Sequence, residues 1–223
     1  METNKTKIVS LKNTHPALEE RNKILKYTRD KFYKEGFYKT SMDEIAGELH
    51  VSKKTIYKYF PSKDNLIKEI CSHTTKELIN VVDKIVDGKE DVVLKFIKLM
   101  NMYGGFLSGV SDKWFNDISI HAPKLKKDIE VKRNEKIVFI MKKLLEQGKK
   151  EKLIVNYPTD LIIQIFISSL KSALNSDFLI MSRFSMSDAF RQTYEILLNG
   201  ILTNKGKEKY SREKQKLSKY LLV

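Results

Sequence analysis

The chain has 223 residues, 41% of them apolar, with 42 Lys+Arg against 28 Asp+Glu and a formal net charge of +14. That length allows one large or two modest domains with a sizeable core, and the basic balance favours an anionic partner: nucleic acid, an anionic membrane or an acidic ligand. A single cysteine, Cys71, excludes an internal disulfide, and the longest apolar stretch, 161–170, is interrupted by Gln164, Ser168 and Ser169 and too short to span a bilayer.

The N-terminus, METNKTKIVSLKN, is polar and lacks the apolar core of a secretion signal, so a cytoplasmic protein is expected. The rest reads as all-α. Pro16, Pro61, Pro123 and Pro158 each stand at a plausible helix start, and no strand-like alternation between hairpin turns occurs. A first helix is expected over about 16–35, with Ile24, Leu25, Thr28 and Phe32 inward. Gly36 takes the left-handed C-cap position, and Phe37 folds back onto Phe32. Ser41 and Glu44 form a capping box at the start of a second helix, whose buried face is Ile45, Ala46 and Leu49. His50 and Val51 make a tight turn. Ser52 then caps a third helix that turns Ile56 and Phe60 inward.

Pro61 and Ser62 end that helix and cap a fourth, to about Val86, with Leu66, Ile67, Ile70, Leu78, Val81 and Ile85 on one face. The next helix, about 91–110, places Val93, Ile97, Met100, Tyr103 and Leu107 in register; Gly104, Gly105 and Gly109 weaken its second half. A short helix over 111–121 carries Trp114. Pro123 opens a long basic helix to about Gly148, and Pro158 opens another to about Ile180. Residues 185–202 form a further helix. The tail from Asn204 is basic, then apolar at Tyr220, Leu221, Leu222 and Val223, and reads as either another helix or a frayed end.

Two short helices joined by a tight turn, held by inward apolar positions and outwardly rich in donors, form the layout of a helix-turn-helix. The start of the second helix, with Thr40, Ser41 and Met42, suits a phosphate oxygen: hydroxyls and free N–H groups face it with a favourable dipole. Lys63 lies in the first turn of the fourth helix, against its dipole, and is better explained by an external anion than by helix stability. Lys53, Lys54 and Thr55, just after Ser52, are candidates for base edges, with Lys donating to guanine acceptors. Tyr57 and Tyr59 can donate to phosphate or pack on a thymine methyl, and Lys58 completes the outward face.

The segment TSMDEIAGELHVSKKTIYKYFPSKDNLI resembles the helix-turn-helix of the tetracycline-repressor (TetR) family of bacterial transcription regulators, and ILKYTRDKFYKEGFYKTS resembles that family's first helix and glycine exit. The resemblance covers roughly 20–70 and rests on Gly36, Thr40, Ile45-Ala46, Val51-Ser52, Thr55-Ile56-Tyr57, Tyr59-Phe60 and Ser62-Lys63. Two positions depart from the pattern. His50 stands where the family usually has Gly, which strains the backbone if φ is positive. Lys54 stands where a small residue is common, which limits any transfer of operator sequence.

The resemblance implies a DNA-binding domain over 1–62 (core 17–62) and a helical effector-binding and dimerisation domain over 63–223, sharing the fourth helix. It implies a homodimer on double-stranded DNA, built through the helices near 159–180 and 187–202, and release by an unknown small-molecule effector. The residues agree with the dimer: Leu161, Ile162, Ile163, Ile165, Phe166 and Ile167 are apolar around most of their helix, and Phe190, Tyr194, Leu197, Leu198 and Ile201 form a broad stripe. A mostly apolar effector pocket is expected from Met100, Tyr103, Phe106, Trp114, Phe139 and Phe166, which read equally well as ordinary core. The alternative is a regulator of the same fold with no small effector, controlled by a protein partner. Cys71 and His73 face different sides of their helix, so neither a metal nor a cofactor is expected. No catalytic set or phosphate-binding glycine loop supports an enzyme.

Overall fold

Serine and aspartate caps punctuate this chain. The structure, a computed structural model, describes residues 16–220, so the polar N-terminal segment and the apolar end Leu221, Leu222 and Val223 lie outside the described residues. Among the described residues the regular elements are all helices: α1 (Pro16–Glu35), α2 (Met42–Glu48), α3 (Lys53–Tyr59), α4 (Lys63–Asp87), α5 (Val92–Ser108), α6 (Asp112–His121), α7 (Pro123–Lys150), α8 (Thr159–Ala173), α9 (Ser176–Ser182), α10 (Met186–Ile201) and α11 (Asn204–Tyr220). Ser41, Ser52 and Ser62 accept from Glu44 N at 3.0 Å, Thr55 N at 3.0 Å and Asn65 N at 3.1 Å. Asp91, Ser111 and Ser185 cap α5, α6 and α10 in the same way. Each cap satisfies backbone donors that the helix itself leaves unpaired. The carboxylate of Glu44 pairs with Lys31, so the expected box contributes its serine half here.

Two apolar cores lie one above the other. The first joins α1, α2, α3 and the start of α4, and also takes in Val110, Trp114 and Ile118. The second is built from the far half of α4 with α5, α7, α8, α10 and Tyr210 of α11. The long α4 runs through both, contributing Leu66, Ile67 and Ile70 to one and Val82 and Val86 to the other. Val81, expected inward, is exposed, and Val82 takes its place. The buried line of α4 drifts from one core to the next, because each core sets its own inward direction.

One boundary differs from expectation, and the structure sharpens two others. The helix opened by Pro158 stops at Ala173, and Asn175 caps a new short helix by accepting from Asp177 N at 2.8 Å. The long basic helix runs past Gly148, where a Cβ would lie 2.3 Å from Ile154 Cγ1. That glycine marks close packing against the loop after α7, and the helix continues through it. The tail from Asn204 is helical, anchored by buried Tyr210 and by Lys209, whose ammonium lies 2.9 Å from Asp91. No described helix is long and apolar enough to cross a membrane.

Candidate nucleic-acid interface

The α2–α3 corner is made by a residue in a conformation that side chains avoid. His50 adopts φ 54°, and the Val51 N–H then reaches back to Ala46 O at 3.0 Å. A left-handed non-glycine residue costs roughly 1–2 kcal/mol, and histidine carries it here with its ring exposed. Beneath the corner, Ile45, Ala46, Leu49, Ile56 and Phe60 are buried as one seam. Packing both helices through one face leaves the opposite face free.

That free face carries Ser41, Ser52, Lys53, Lys54, Tyr57 and Lys58, all exposed, with Thr55, Tyr59 and Lys63 half-buried. Thr40 and Met42, expected to join them, are each only 7% exposed. The Met42 side chain belongs to the core, since the first turn of α2 docks on it. Met42 has no polar side-chain atom and can meet a phosphate only through its backbone beside Ser41.

Several donors are engaged in the free protein. Lys53 Nζ lies 2.5 Å from Asp43 Oδ2. Tyr59 donates to Glu20 at 2.8 Å, and that carboxylate holds its hydroxyl above the usual phenol range. The Lys58 ammonium sits 5.0 Å from the centre of the Tyr59 ring. Lys63 donates to Tyr38 O at 2.9 Å, and partial burial lowers its affinity for a proton. On the far side of α2, Lys31 is held by Glu35, Glu44 and Glu48, with Glu44 the largest of the influences that raise its pKa.

A second set of contacts, which the sequence reading missed, fixes the corner from above. Asp117 of α6 accepts from Phe37 N at 2.7 Å and Tyr38 N at 2.8 Å through the same oxygen. Gly36 has φ 80°, and a Cβ there would meet that oxygen at 2.6 Å. Ser111 N donates to Tyr33 O at 2.7 Å, and the His121 and Tyr38 rings stack with centroids 3.8 Å apart. Trp114 packs among Phe32, Tyr33 and Phe37. No short-range pattern announces Asp117, because its partners lie 79 and 80 residues away in the chain.

The six residues expected to line an effector pocket do not meet. Met100 and Phe166 are buried in the second core with Tyr103 against it, whereas Trp114 is buried in the first with Phe106 against it. Phe139 is 64% exposed, with the Lys136 ammonium over its ring. The reason is that α5 runs from the second core to the first, where α6 lies. The Arg191 guanidinium lies against Gly104, where a Cβ would meet it at 2.6 Å. An open cleft of about 590 Å³ lies elsewhere, at the far end of α4, with Asp87, Lys95, Lys143, Gln147 and Glu151 among its lining residues. There Lys95 is buried and donates to Val86 O at 2.8 Å and Gln147 Oε1 at 2.9 Å. Among the described residues no three His, Cys, Asp or Glu side chains are grouped to hold a metal ion.

Comparison with known proteins agrees with this geometry. Residues 24–70 match the family model for bacterial regulatory proteins of the tetR family. The chain is 25% identical over 176 residues, 72% of its length and 85% of the relative's, to an uncharacterized HTH-type transcriptional regulator, YvaF, of Bacillus subtilis strain 168. Its fold is similar to a TetR-family transcriptional regulator from Agrobacterium tumefaciens, with TM-score 0.64 and 14% identity over 84% of this chain and 100% of that one. It is also similar to a TetR-family regulator from Streptomyces coelicolor, with TM-score 0.62 and 17% identity over 82% of this chain and 96% of that one. At such identities the structural likeness shows the fold.

Proposed function

We propose that this chain, which carries a tetR-family head on the TetR fold, is a transcriptional regulator that binds a near-palindromic operator as a homodimer. It acts as a repressor, released by a small, mainly apolar effector. The observation that carries the reading is the outward face of α2 and α3, where hydroxyls and ammonium groups stand over a buried apolar seam. Ser41, Ser52 and Lys63 serve phosphates with Tyr57, Lys58 and Tyr59. Lys53, Lys54 and Thr55 meet base edges, Thr40 joins Ser41 at a phosphate, and Met42 contributes through backbone.

Self-association is supported by apolar side chains left exposed on neighbouring helices. Leu161 and Ile165 stand one turn apart on α8, Ile196 lies on α10, and Phe178, Ile180 and Met181 lie on α9. Helices α8 and α10 pack on each other, and α9 follows against α8. A dimer through the helices near 159–180 and 187–202 sets two copies of α3 about 34–36 Å apart, in successive major grooves. We place the functional division at 62/63, with α4 shared, so that an effector favouring the wrong spacing of the two heads loosens DNA.

The separation of the six pocket candidates favours a second reading, a regulator of the same fold controlled by a protein partner. Native mass spectrometry of the purified dimer separates the two. A co-purifying small apolar molecule supports the first, and a bare dimer whose operator affinity is insensitive to small apolar compounds supports the second. The DNA reading is tested by in-vitro selection of bound DNA. Tyr57→Phe and Lys63→Ala should each weaken binding to the selected site and leave the dimer intact, and Lys63→Ala should lower the salt slope by about one. Unchanged affinity in both variants would refute the residue roles.

A further inference from the structure

The α2–α3 corner sets a carboxylate directly against one of the ammonium groups of the basic, hydroxyl-bearing face. Asp43, in the first turn of α2, sets Oδ2 2.5 Å from the ammonium of Lys53, in the first turn of α3. Both side chains are more than half exposed, at 53% and 66%, and an ion pair this open adds little to folding. A bare carboxylate on a surface that approaches phosphates is repelled by them. The first turn of α3 holds Lys53 and Lys54 and no acid, although that end of a helix disfavours cations. Asp43 supplies the missing negative charge from the neighbouring helix and holds the Lys53 ammonium at a fixed place.

An ammonium and a carboxylate side by side form a joint donor and acceptor. In the major groove a G·C pair presents the N7 and O6 acceptors of guanine beside the N4 amino donor of cytosine. The ammonium can donate to the guanine acceptors while the free carboxylate oxygen accepts from cytosine N4. An A·T pair also meets this reader, adenine N7 accepting from the ammonium and N6 donating to the carboxylate, but it lacks the second purine acceptor, O6, that guanine offers the ammonium, and its thymine methyl meets a charged pair. We propose that Asp43 and Lys53 together read one G·C pair in each half-site. This rests on the DNA-binding reading above.

The test is in-vitro selection from random duplex DNA with the full-length wild type, Asp43→Ala and Lys53→Met. The wild type is expected to select G·C at one position of each half-site. Asp43→Ala, which removes the acceptor, should relax that preference by about tenfold and leave the other positions unchanged, and Lys53→Met should relax the same position. The inference is overturned if Asp43→Ala selects the wild-type motif at every position. It is equally overturned if that variant binds all sequences uniformly tighter, as simple removal of a negative charge beside phosphates requires. A wild type that enriches no motif would instead overturn the DNA-binding reading itself, and so is distinguishable from failure of the pair.

Discussion

Removing the Asp117 carboxylate should loosen the DNA-binding head from the body. One oxygen of Asp117 accepts two backbone N–H groups, from Phe37 at 2.7 Å and from Tyr38 at 2.8 Å. The two donors are unequal. Phe37 N is part-buried and loses its partner outright, whereas Tyr38 N is exposed and regains water. A hydrogen bond to a charged group contributes about 1.5–3 kcal/mol, and a buried donor left unpaired costs about the same. Asp117→Ala should therefore destabilise the protein by about 2–3 kcal/mol, or roughly 4–12 °C in melting temperature for a chain of this size. Asp117→Asn retains an acceptor oxygen and should lose less than half of that. The segment 36–38 also holds Lys63 through Tyr38 O, so Asp117→Ala should weaken operator binding as well. Thermal melting followed by circular dichroism reads the first effect and a salt-matched DNA titration the second. An Asp117→Ala protein that melts within about 1 °C of wild type would refute the reasoning.

Three further outcomes follow from particular residues. His50→Gly removes the cost of a left-handed side chain and adds chain entropy to the unfolded state, for a net gain of about 0.5–1 kcal/mol. An unchanged or lower melting temperature would count against strain at that corner. Burial pushes the Cys71 thiol up to about 12, so Ellman's reagent should label it slowly at pH 8 and rapidly in denaturant. Its folded pKa lies above the unfolded value of about 8.5, so its contribution to stability is complete below that pH and is lost as pH rises toward 12. Fast labelling of the native protein would show an open site. Ile165→Asp combined with Ile196→Asp should convert the proposed dimer to monomer in sedimentation velocity with helix content preserved, and a persistent dimer would place the interface elsewhere.

Local chemistry made much of the head readable. Ser41, Ser52 and Ser62 stand where three helices begin, Gly36 stands where the first must turn left-handed, and the inward positions of α2 and α3 follow one helical period. Each signal lies within a few residues of its consequence. The pocket candidates show where such reading ends. Met100 and Trp114 are both large, apolar and buried, and nothing near either in sequence says that they belong to different cores. Val81 and Val82 differ by one position, and only the packing partners of α4 decide which is buried. The break after Ala173 had a local sign in Asn175, outweighed by the apolar run before it.

The sequence by itself determined the all-helical class, the caps, the helix-turn-helix and its outward donors, because these depend on backbone satisfaction and on a period of 3.6 residues. Only the tertiary structure decided how the head is held. Asp117 and His121 reach the α1–α2 turn from α6, Asp43 reaches Lys53 across the α2–α3 corner, and Arg191 lies against Gly104. Each of these contacts joins residues on different helices, and which residues of separate helices meet is set by how the helices pack.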